Sequence, residues 1–217
     1  MTDFAKLRER MVREQIEARG LKDPALLTAL REVPREQFVS PLQRAWAYGD
    51  YPLPIEAGQT ISQPYIVALM IDAAGVREGD RVLEVGSGSG YAAAVMSRIA
   101  AHVVGIERQA ELVVIARERM ARLGYGNVEI VEGDGSVGWS RGAPYDAILA
   151  AASGSHVPQP LIDQLALGGR LVMPVGGTGE VQHLVKATKE EDGTIQQSDL
   201  GAVRFVPLIG EEGWSHG

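Results

Sequence analysis

The sequence predicts an α/β fold: a doubly wound, mostly parallel sheet of seven strands with helices on both faces. Two observations carry this prediction. Between residues 81 and 175, short segments rich in apolar and β-branched residues alternate with segments of helical periodicity, the pattern of a parallel sheet covered by helices. The first strand segment, Arg81–Val85, leads directly into a glycine-rich turn and a helix, as expected at the ligand-binding edge of such a sheet.

Composition narrows the class of protein. The chain has 217 residues, of which 45% are hydrophobic and none is cysteine, so a disulfide framework, thiolate metal sites and a cysteine nucleophile are excluded. The net charge of −7 argues against a protein that coats nucleic acid. No apolar run approaches the ~20 residues of a membrane-spanning helix, and the N-terminus lacks a signal segment. We therefore expect a cytoplasmic monomer that binds neither nucleic acid nor membrane.

Residues 1–75 are predicted to form a helical extension that also carries a substrate loop. Apolar residues at helical spacing predict a helix over residues 4–20, ended by Gly20, and a second helix over residues 24–33. Residues 38–60 lack periodicity and are rich in aromatic residues. A loop of this length is usually functional. Its aromatic side chains are expected either to cover a peptide substrate or to form a hydrophobic lid over the N-terminal helices.

Residues 76–217 are predicted to form the sheet domain. Helices are expected from about Tyr91, over Ala110–Leu123 and over Pro158–Leu167. The predicted strands are Arg81–Val85, His102–Glu107, Val128–Glu132, Asp146–Ala150, Arg170–Val175, His183–Thr188 and Gly201–Val206. The last two are joined by the polar segment Lys189–Asp199, which has no helical pattern, so we expect a C-terminal antiparallel hairpin at the sheet edge.

The glycine turn after the first strand indicates the class of ligand. A dinucleotide loop reads G-x-G-x-x-G and holds a pyrophosphate, whereas this turn has Glu84 followed by glycines at 86, 88 and 90. An acidic residue at the strand end disfavours phosphates and suits a cation. S-adenosyl-L-methionine carries a sulfonium and an ammonium and no phosphate. Taken alone, the turn is equally compatible with an ordinary tight connection.

Two further strands end in an acidic residue beside glycine. Glu107 lies about twenty residues after the glycine turn, where a carboxylate is expected to accept the ribose hydroxyls. Asp134, between two glycines, is placed to meet an adenine amino group. Three such strand ends together predict an adenosyl-cofactor site. The candidate cofactor-binding residues are Glu84, Gly86, Ser87, Gly88, Ser89, Gly90, Glu107, Arg108, Gly133, Asp134 and Gly135.

These segments resemble a known family. The glycine turn, Glu107 and residues 133–135 are similar to the Rossmann-like class I S-adenosylmethionine-dependent methyltransferases. The segment Gly58–Tyr65, which reads Gly-Gln-Thr-Ile-Ser-Gln-Pro-Tyr, resembles more specifically the protein-L-isoaspartate O-methyltransferases. The resemblance covers most of the chain, with Ser136 as a departure and with Gly213 and Trp214 unassigned. Further matching segments are residues 11–20, 33–35, 143–146, 167–176 and 204–208.

The resemblance implies a reaction. Such an enzyme transfers a methyl group from S-adenosyl-L-methionine to the α-carboxylate of an isoaspartyl residue in a damaged protein or peptide, leaving S-adenosyl-L-homocysteine. The ester then closes to a succinimide without the enzyme, and hydrolysis returns some normal aspartate. The resemblance also implies that Ser62 is the active-site residue and that Thr60 and Ile61 line the substrate site.

The chemistry is compatible with these side chains. An α-carboxylate has a pKa of about 3.3–3.7 and is already ionised at neutral pH, so no general base is needed. We hypothesise that Ser62 donates a hydrogen bond that orients this carboxylate; the alternative is that it caps the helix after it. Tyr65 is a third candidate substrate-binding residue besides Thr60 and Ile61, and it is expected either near the sulfonium or in the core. We expect no metal, because the histidines lack ligand spacing: His102, His156, His183 and His216.

Two alternatives stay open at this point. A class I methyltransferase that acts on a small molecule would keep the cofactor site and make the Gly58–Tyr65 segment coincidental. A non-catalytic Rossmann module that binds an adenosine nucleotide would have no methyl transfer, and Glu84 together with the glycine spacing speaks against it.

Overall fold

The structure is a computed structural model that describes residues 2–215, so His216 lies outside the described residues. Helix α1 (Phe4–Met11) continues through a π-helical turn, Val12–Ile16, and a 3-10 turn, Glu17–Arg19. Gly20 ends this helical segment at φ +99°, a conformation that only glycine adopts readily, as the sequence predicted. Helix α2 (Pro24–Glu32) begins after Asp23, whose carboxylate accepts the Leu26 N–H at 2.8 Å.

Residues 33–63 form an irregular segment, which is longer at both ends than the predicted segment 38–60. It contains 3-10 turns over Arg35–Gln37, Pro41–Trp46 and Glu56–Gly58. Two short antiparallel strands, β1 (Leu53–Pro54) and β2 (Thr60–Ile61), close it into a compact loop. Helix α3 (Pro64–Ala74) follows.

The remaining chain forms a mixed sheet of seven strands in the order β5-β4-β3-β6-β7-β8-β9, which confirms the predicted fold class. Strand β3 pairs in parallel with both β4 and β6, so the chain reverses its direction of travel along the sheet between these strands. At such a switch point the carboxyl ends of the strands open a crevice. The elements are β3 (Arg81–Val85), α4 (Tyr91–Met96), β4 (His102–Glu107), α5 (Ala110–Leu123), β5 (Val128–Glu132), β6 (Tyr145–Ala150), α6 (Gln159–Asp163), β7 (Leu165–Val175), β8 (Gln182–Lys189) and β9 (Ile195–Val203).

The structure corrects two element boundaries. The predicted helix over 158–167 ends at Asp163, because Leu165 pairs with Tyr145 of β6 and begins strand β7. The last strand covers residues 195–203 instead of 201–206, and only residues 190–194 form the hairpin turn. Residues 196–199 of this edge strand are exposed and polar, so they carry no alternation of apolar residues that would identify a strand.

Two hydrophobic clusters lie in the fold. One contains Met11, Leu30 and Phe38 of the N-terminal extension together with residues of α4 and α5. The other joins strand residues such as Leu83 and Ile148 to Leu161 of α6. The extension therefore packs into the same core as the sheet. Within residues 2–215, no helix has both the length and the apolar character needed to cross a membrane.

Candidate active site

A cavity of about 980 Å³ lies at the carboxyl ends of β3, β4 and β6. Its walls include the glycine turn, the Gly58–Gln63 part of the motif, one side of helix α3, and residues 202–209 at and after the end of the last strand. The sequence-predicted site residues on this wall are Thr60, Ile61, Ser62, Glu84, Gly86, Ser87, Gly88, Ser89, Glu107, Arg108 and Gly135. The fold thus brings most of the candidate cofactor-binding residues and most of the Gly58–Tyr65 motif to the wall of the same cavity.

The glycine turn adopts a conformation that its glycines make possible. Gly86, Gly88 and Gly90 have φ of +78°, +50° and +83°, in the region that other residues rarely enter. The backbone N–H of Gly86 donates to the Ile106 carbonyl of β4 at 2.9 Å, which docks the turn on the neighbouring strand. A Cβ on Gly90 would lie 2.6 Å from Met120 Cε, so the end of this α5 side chain would have to move to admit it. Gly90 supports the wall without lining it.

Glu107 is held by backbone donors at the end of β4. Its Oε2 accepts the Gly88 N–H at 2.9 Å, and its Oε1 accepts the Gln109 N–H at 3.0 Å. Each carboxylate oxygen has a second lone pair. The side chain is buried and lines the cavity, so these lone pairs are available to hydroxyl groups of a ligand.

Glu84 is a buried carboxyl on the cavity wall, with 3% of its surface exposed. Burial raises its pKa well above the ordinary value, the nearby Glu107 carboxylate adds to this rise, and the Ala93 backbone N–H offsets part of it. Its Oε2 and the Ser87 Oγ are buried without a hydrogen-bond partner among the described residues. Buried polar atoms are normally paired, so these two indicate a polar ligand in the cavity. The ammonium of S-adenosyl-L-methionine fits a carboxylate in this position.

Asp134 lies beside this cavity instead of on its wall. Its Oδ1 accepts the N–H and the hydroxyl of Ser136 at 2.9 and 2.7 Å, and its Oδ2 accepts the Glu211 N–H at 2.7 Å. Burial alone would raise the pKa of Asp134, but these hydrogen bonds outweigh it and lower the pKa. Asp134 and Gly133 line a smaller neighbouring cavity of about 380 Å³. The predicted adenine contact of Asp134 stays a prediction.

The C-terminal tail, residues 207–215, docks on this acid. Besides the Glu211 bond, the Glu212 N–H donates to the Ser136 hydroxyl at 3.0 Å. The Trp214 indole donates to the Ser153 carbonyl at 3.0 Å. Ser136, the departure from the family pattern, therefore acts together with Asp134 to tie the tail to the end of β5.

Ser62 lies on the cavity wall just before α3. The residue that caps α3 is Gln63, and its side chain makes no capping bond. The alternative that Ser62 caps this helix is therefore not what the structure shows. The Ser62 carbonyl accepts a hydrogen bond from the Arg35 guanidinium at 2.7 Å, which fixes the backbone that carries the hydroxyl.

Tyr65 is not among the residues that line the cavity. The Arg19 guanidinium carbon lies 3.2 Å from the centroid of its ring, and the ring packs against the core. Tyr91 lines the cavity instead. The structure thus favours the core interpretation for Tyr65.

The aromatic stretch has a buried part and an exposed part, and its predicted role in covering a peptide substrate stays a prediction. Tyr48 is buried and bonded to α1, because its hydroxyl accepts from Arg8 at 2.9 Å and donates to Glu36. Trp46 and Tyr51 remain 54% and 43% exposed. One part of the loop therefore anchors it on the N-terminal helices, and another presents aromatic surface to solvent.

Sequence reasoning missed the wall formed by residues 202–209 as a part of the site. Val203, Phe205 and Leu208 line the cavity, although part of this segment was predicted as a strand. The resemblance of residues 204–208 to the family was the one feature of the sequence that could have pointed to this wall, and it gives no role for these residues.

Comparison with known proteins identifies the family. The model of the protein-L-isoaspartate(D-aspartate) O-methyltransferase family matches residues 6–213. Protein-L-isoaspartate O-methyltransferase 1 of Rhodopseudomonas palustris (strain HaA2) is 56% identical over 214 residues, which cover 99% of this chain and 87% of that protein. The enzyme of Methanoculleus marisnigri is 53% identical over 207 residues, covering 95% and 93% of the two chains.

Solved structures agree with this assignment. A protein-L-isoaspartate O-methyltransferase superposes with a TM-score of 0.84 at 32% identity, covering 94% of this chain, which spans 66% of that one. A protein-L-isoaspartate O-methyltransferase structure from Plasmodium falciparum, in complex with S-adenosyl-L-homocysteine, superposes with a TM-score of 0.80 at 28% identity, covering 93% and 98%. With its fold, its cavity and these relatives in agreement, the chain belongs to the protein-L-isoaspartate(D-aspartate) O-methyltransferase family.

Proposed function

We propose that this chain methylates the α-carboxylate of isoaspartyl residues in damaged proteins and peptides, with S-adenosyl-L-methionine as the methyl donor. The observation that carries the proposal is the composition of one cavity. The buried carboxyls Glu84 and Glu107 lie on one wall, and Thr60, Ile61 and Ser62 of the family-specific motif lie on another. A cofactor site and a substrate motif that face the same space are what a methyl transfer requires.

The residues at the carboxyl ends of the strands fit the cofactor. Glu84 would pair with its ammonium, Glu107 would accept its ribose hydroxyls, and the glycine turn would follow its contour, with Arg108 and Gly135 at the adenine end. When bound, S-adenosyl-L-methionine supplies a methyl group on a sulfonium sulfur, and transfer to a carboxylate oxygen gives a methyl ester and S-adenosyl-L-homocysteine.

The chain's own contribution to catalysis is positioning. The substrate carboxylate is already ionised, so Ser62 has no proton to remove and acts as a hydrogen-bond donor that aims one carboxylate oxygen at the methyl carbon. Correct orientation of two reactants is worth about 7–11 kcal/mol of the barrier. The apolar wall residues Ile61, Phe205 and Leu208 exclude water, which would otherwise solvate the carboxylate and weaken it as a nucleophile.

The consequence of methylation is repair. A methyl ester carbonyl is more electrophilic than a carboxylate and has methoxide to expel, so the neighbouring backbone nitrogen attacks it, releases methanol and closes a succinimide without help from the enzyme. Hydrolysis of that ring returns some normal aspartate. We further propose that the protein acts as a cytoplasmic monomer without a nucleic-acid partner, and that residues 1–75 and 76–217 divide the substrate and cofactor tasks between them.

The test uses two short peptides that differ only in an aspartyl or isoaspartyl linkage. Labelled S-adenosyl-L-methionine is expected to place base-labile label in the isoaspartyl peptide and none in the aspartyl control. Equal labelling of both peptides would refute the linkage specificity. No labelling of either, with S-adenosyl-L-homocysteine still bound, would refute the protein substrate and favour a small-molecule acceptor. If the protein neither binds S-adenosyl-L-homocysteine nor labels either peptide, the result would instead favour a non-catalytic module that binds another adenosine nucleotide.

A further inference from the structure

Arg35 is a fully buried arginine next to the proposed active site, with 0% of its surface exposed. Its Nε donates to the Ala47 carbonyl at 2.8 Å, and its Nη2 donates to the Ser62 carbonyl at 2.7 Å. The guanidinium carbon lies 4.7 Å from the centroid of the Tyr91 ring. One planar group therefore contacts three separate parts of the chain.

The partners of this guanidinium are unusual for a buried cation. Buried charges are normally paired with an opposite charge, yet in the part of the chain that the structure describes Arg35 bonds carbonyls and an aromatic face, and Nη1 has no hydrogen-bond partner. Burial lowers the pKa of Arg35, with Tyr91, Tyr48 and Asp50 acting in the opposite direction. The N–H groups of a guanidinium point in fixed directions within one plane. Two carbonyl acceptors bound to it are therefore held at a fixed distance and angle from each other.

The guanidinium contacts three segments that are distant from one another in the sequence. Ala47 belongs to the aromatic loop, Ser62 to the motif, and Tyr91 is the first residue of α4 after the glycine turn. Tyr91 and Ser62 both line the cavity. The guanidinium thus spans the distance between the backbone that carries the candidate catalytic hydroxyl and the element that begins at the cofactor turn.

We propose that Arg35 is a positioning residue of the methyl transfer, which fixes the Ser62 backbone relative to the glycine turn so that the Ser62 hydroxyl meets the substrate carboxylate. This role rests on the proposed function. Neither hydrogen bond of Arg35 reaches a candidate cofactor-binding residue. The proposed role therefore predicts that a substitution of Arg35 changes the rate of methyl transfer and leaves the affinity for the cofactor unchanged.

Arg35→Lys is the informative variant. Lysine keeps the charge and can reach one carbonyl, but it has no planar fork for two carbonyls. Displacing a reacting group by about 1 Å costs about 100-fold in rate, so we expect kcat on an isoaspartyl peptide to fall about 10- to 100-fold. The Kd for S-adenosyl-L-homocysteine is expected to stay within about twofold.

The same substitution is then made in a Ser62→Ala background. There the hydroxyl that Arg35 positions is gone, so Arg35→Lys is expected to lower kcat further by less than about threefold. Non-additivity of this kind is the signature of two residues in one function. A merely structural role of Arg35 would give the same fold loss in both backgrounds.

Arg8→Lys serves as the matched control. Arg8 is a half-buried arginine of the same extension that bonds Tyr48, the Arg31 carbonyl and Glu36 and does not contact Ser62. It is expected to lower the Tm while kcat stays within about twofold of the unmutated enzyme. If Arg8→Lys lowers kcat as much as Arg35→Lys, general loosening of the extension explains both, and the proposal is overturned.

The outcomes separate this proposal from the function on which it rests. Methylation by the unmutated protein, with equal losses from Arg35→Lys in both backgrounds, overturns the role of Arg35 alone. If Arg35→Lys lowers the Tm and leaves kcat unchanged, the role of Arg35 is overturned as well. Absence of methylation by the unmutated protein overturns the proposed function together with the role of Arg35.

Discussion

Replacing Glu84 with glutamine is expected to weaken binding of S-adenosyl-L-homocysteine and to leave binding of adenosine unchanged. Glutamine has the size of glutamate, so the wall of the cavity keeps its shape and only the charge is removed. S-adenosyl-L-homocysteine has the ammonium that Glu84 is proposed to pair with, and adenosine does not. Comparing the two ligands therefore isolates this one interaction from any general disturbance of the glycine turn.

The magnitude follows from the burial of the carboxyl. A hydrogen bond to a charged group is worth about 1.5–3 kcal/mol when both partners are desolvated, and Glu84 is 3% exposed with one oxygen unpartnered. At about 1.4 kcal/mol per tenfold change, this corresponds to a Kd that rises about 10- to 150-fold. For adenosine the Kd is expected to change by less than about twofold.

The same carboxyl predicts a pH dependence of binding. In the ligand-free protein the pKa of Glu84 is raised, so the group takes up a proton more readily than an ordinary glutamate. An ammonium favours the ionised form. Affinity for S-adenosyl-L-homocysteine is therefore expected to increase as pH rises through the raised pKa, with release of a proton on binding, and Glu84→Gln is expected to lack this dependence.

Glu84 also contributes to stability with a defined sign. Because its folded-state pKa is raised above the unfolded value, its contribution is fully present below the unfolded pKa and is lost as pH rises through the folded pKa. Glu84→Gln has no carboxyl to ionise there. The variant is thus expected to lose less stability than the unmutated protein over that rise in pH, as measured by thermal melts at several pH values.

Isothermal titration calorimetry with both ligands, in buffers of different ionisation enthalpy, measures the affinities and the proton release together. Equal losses for S-adenosyl-L-homocysteine and adenosine would show that Glu84 supports the turn instead of the ammonium. An unchanged Kd for S-adenosyl-L-homocysteine would refute the pairing altogether.

Three further changes have defined outcomes. Ser62→Ala removes one hydrogen-bond donor and is expected to lower kcat on an isoaspartyl peptide by about 100-fold with little change in Tm; a lowered Tm at unchanged kcat would restore a purely structural role. Ser136→Ala removes the buried hydroxyl that holds the C-terminal tail and is expected to lower the free energy of unfolding by about 1 kcal/mol in urea titrations; an unchanged midpoint would show that the tail docks independently of it. Gly90→Ala would place a Cβ at a left-handed φ and 2.6 Å from Met120 Cε, whereas Gly79→Ala would place one at a similar φ in open space. Gly90→Ala is therefore expected to lower the free energy of unfolding more than Gly79→Ala in urea titrations. Equal decreases would mean that the Met120 side chain moves aside without cost.

Three parallel strands, the central β3 and β4 and the edge strand β5, could be predicted from the sequence to the residue. Arg81–Val85, His102–Glu107 and Val128–Glu132 have the bounds that their apolar runs indicate. A strand buried on both faces must be apolar along most of its length, so its ends are visible in the sequence. The edge strand β9 pairs with the sheet on one side and is open to solvent on the other. Its first residues are polar, so the sequence did not predict them as part of a strand.

The cofactor side of the site was predictable for the same reason. Parallel strands end at one edge of the sheet, so an acidic residue or glycine at each strand end is placed near the others by the fold class alone. Glu84 and Glu107 do reach the cavity, whereas Asp134 is engaged by Ser136 and the tail. A distant segment of chain decided that difference, and no local pattern around Asp134 records it.

The fold class, the glycine turn and the family could be identified from the sequence, because each depends on local residue spacing or on one uninterrupted motif. The tertiary structure decided which side chains face the cavity. Tyr65 stacks on Arg19, and Arg35 reaches Ser62 across 27 positions of the sequence. The direction of a side chain at the end of a loop depends on which distant atoms can satisfy its polar groups. That choice is made when the extension packs on the sheet, so residue spacing alone does not contain it.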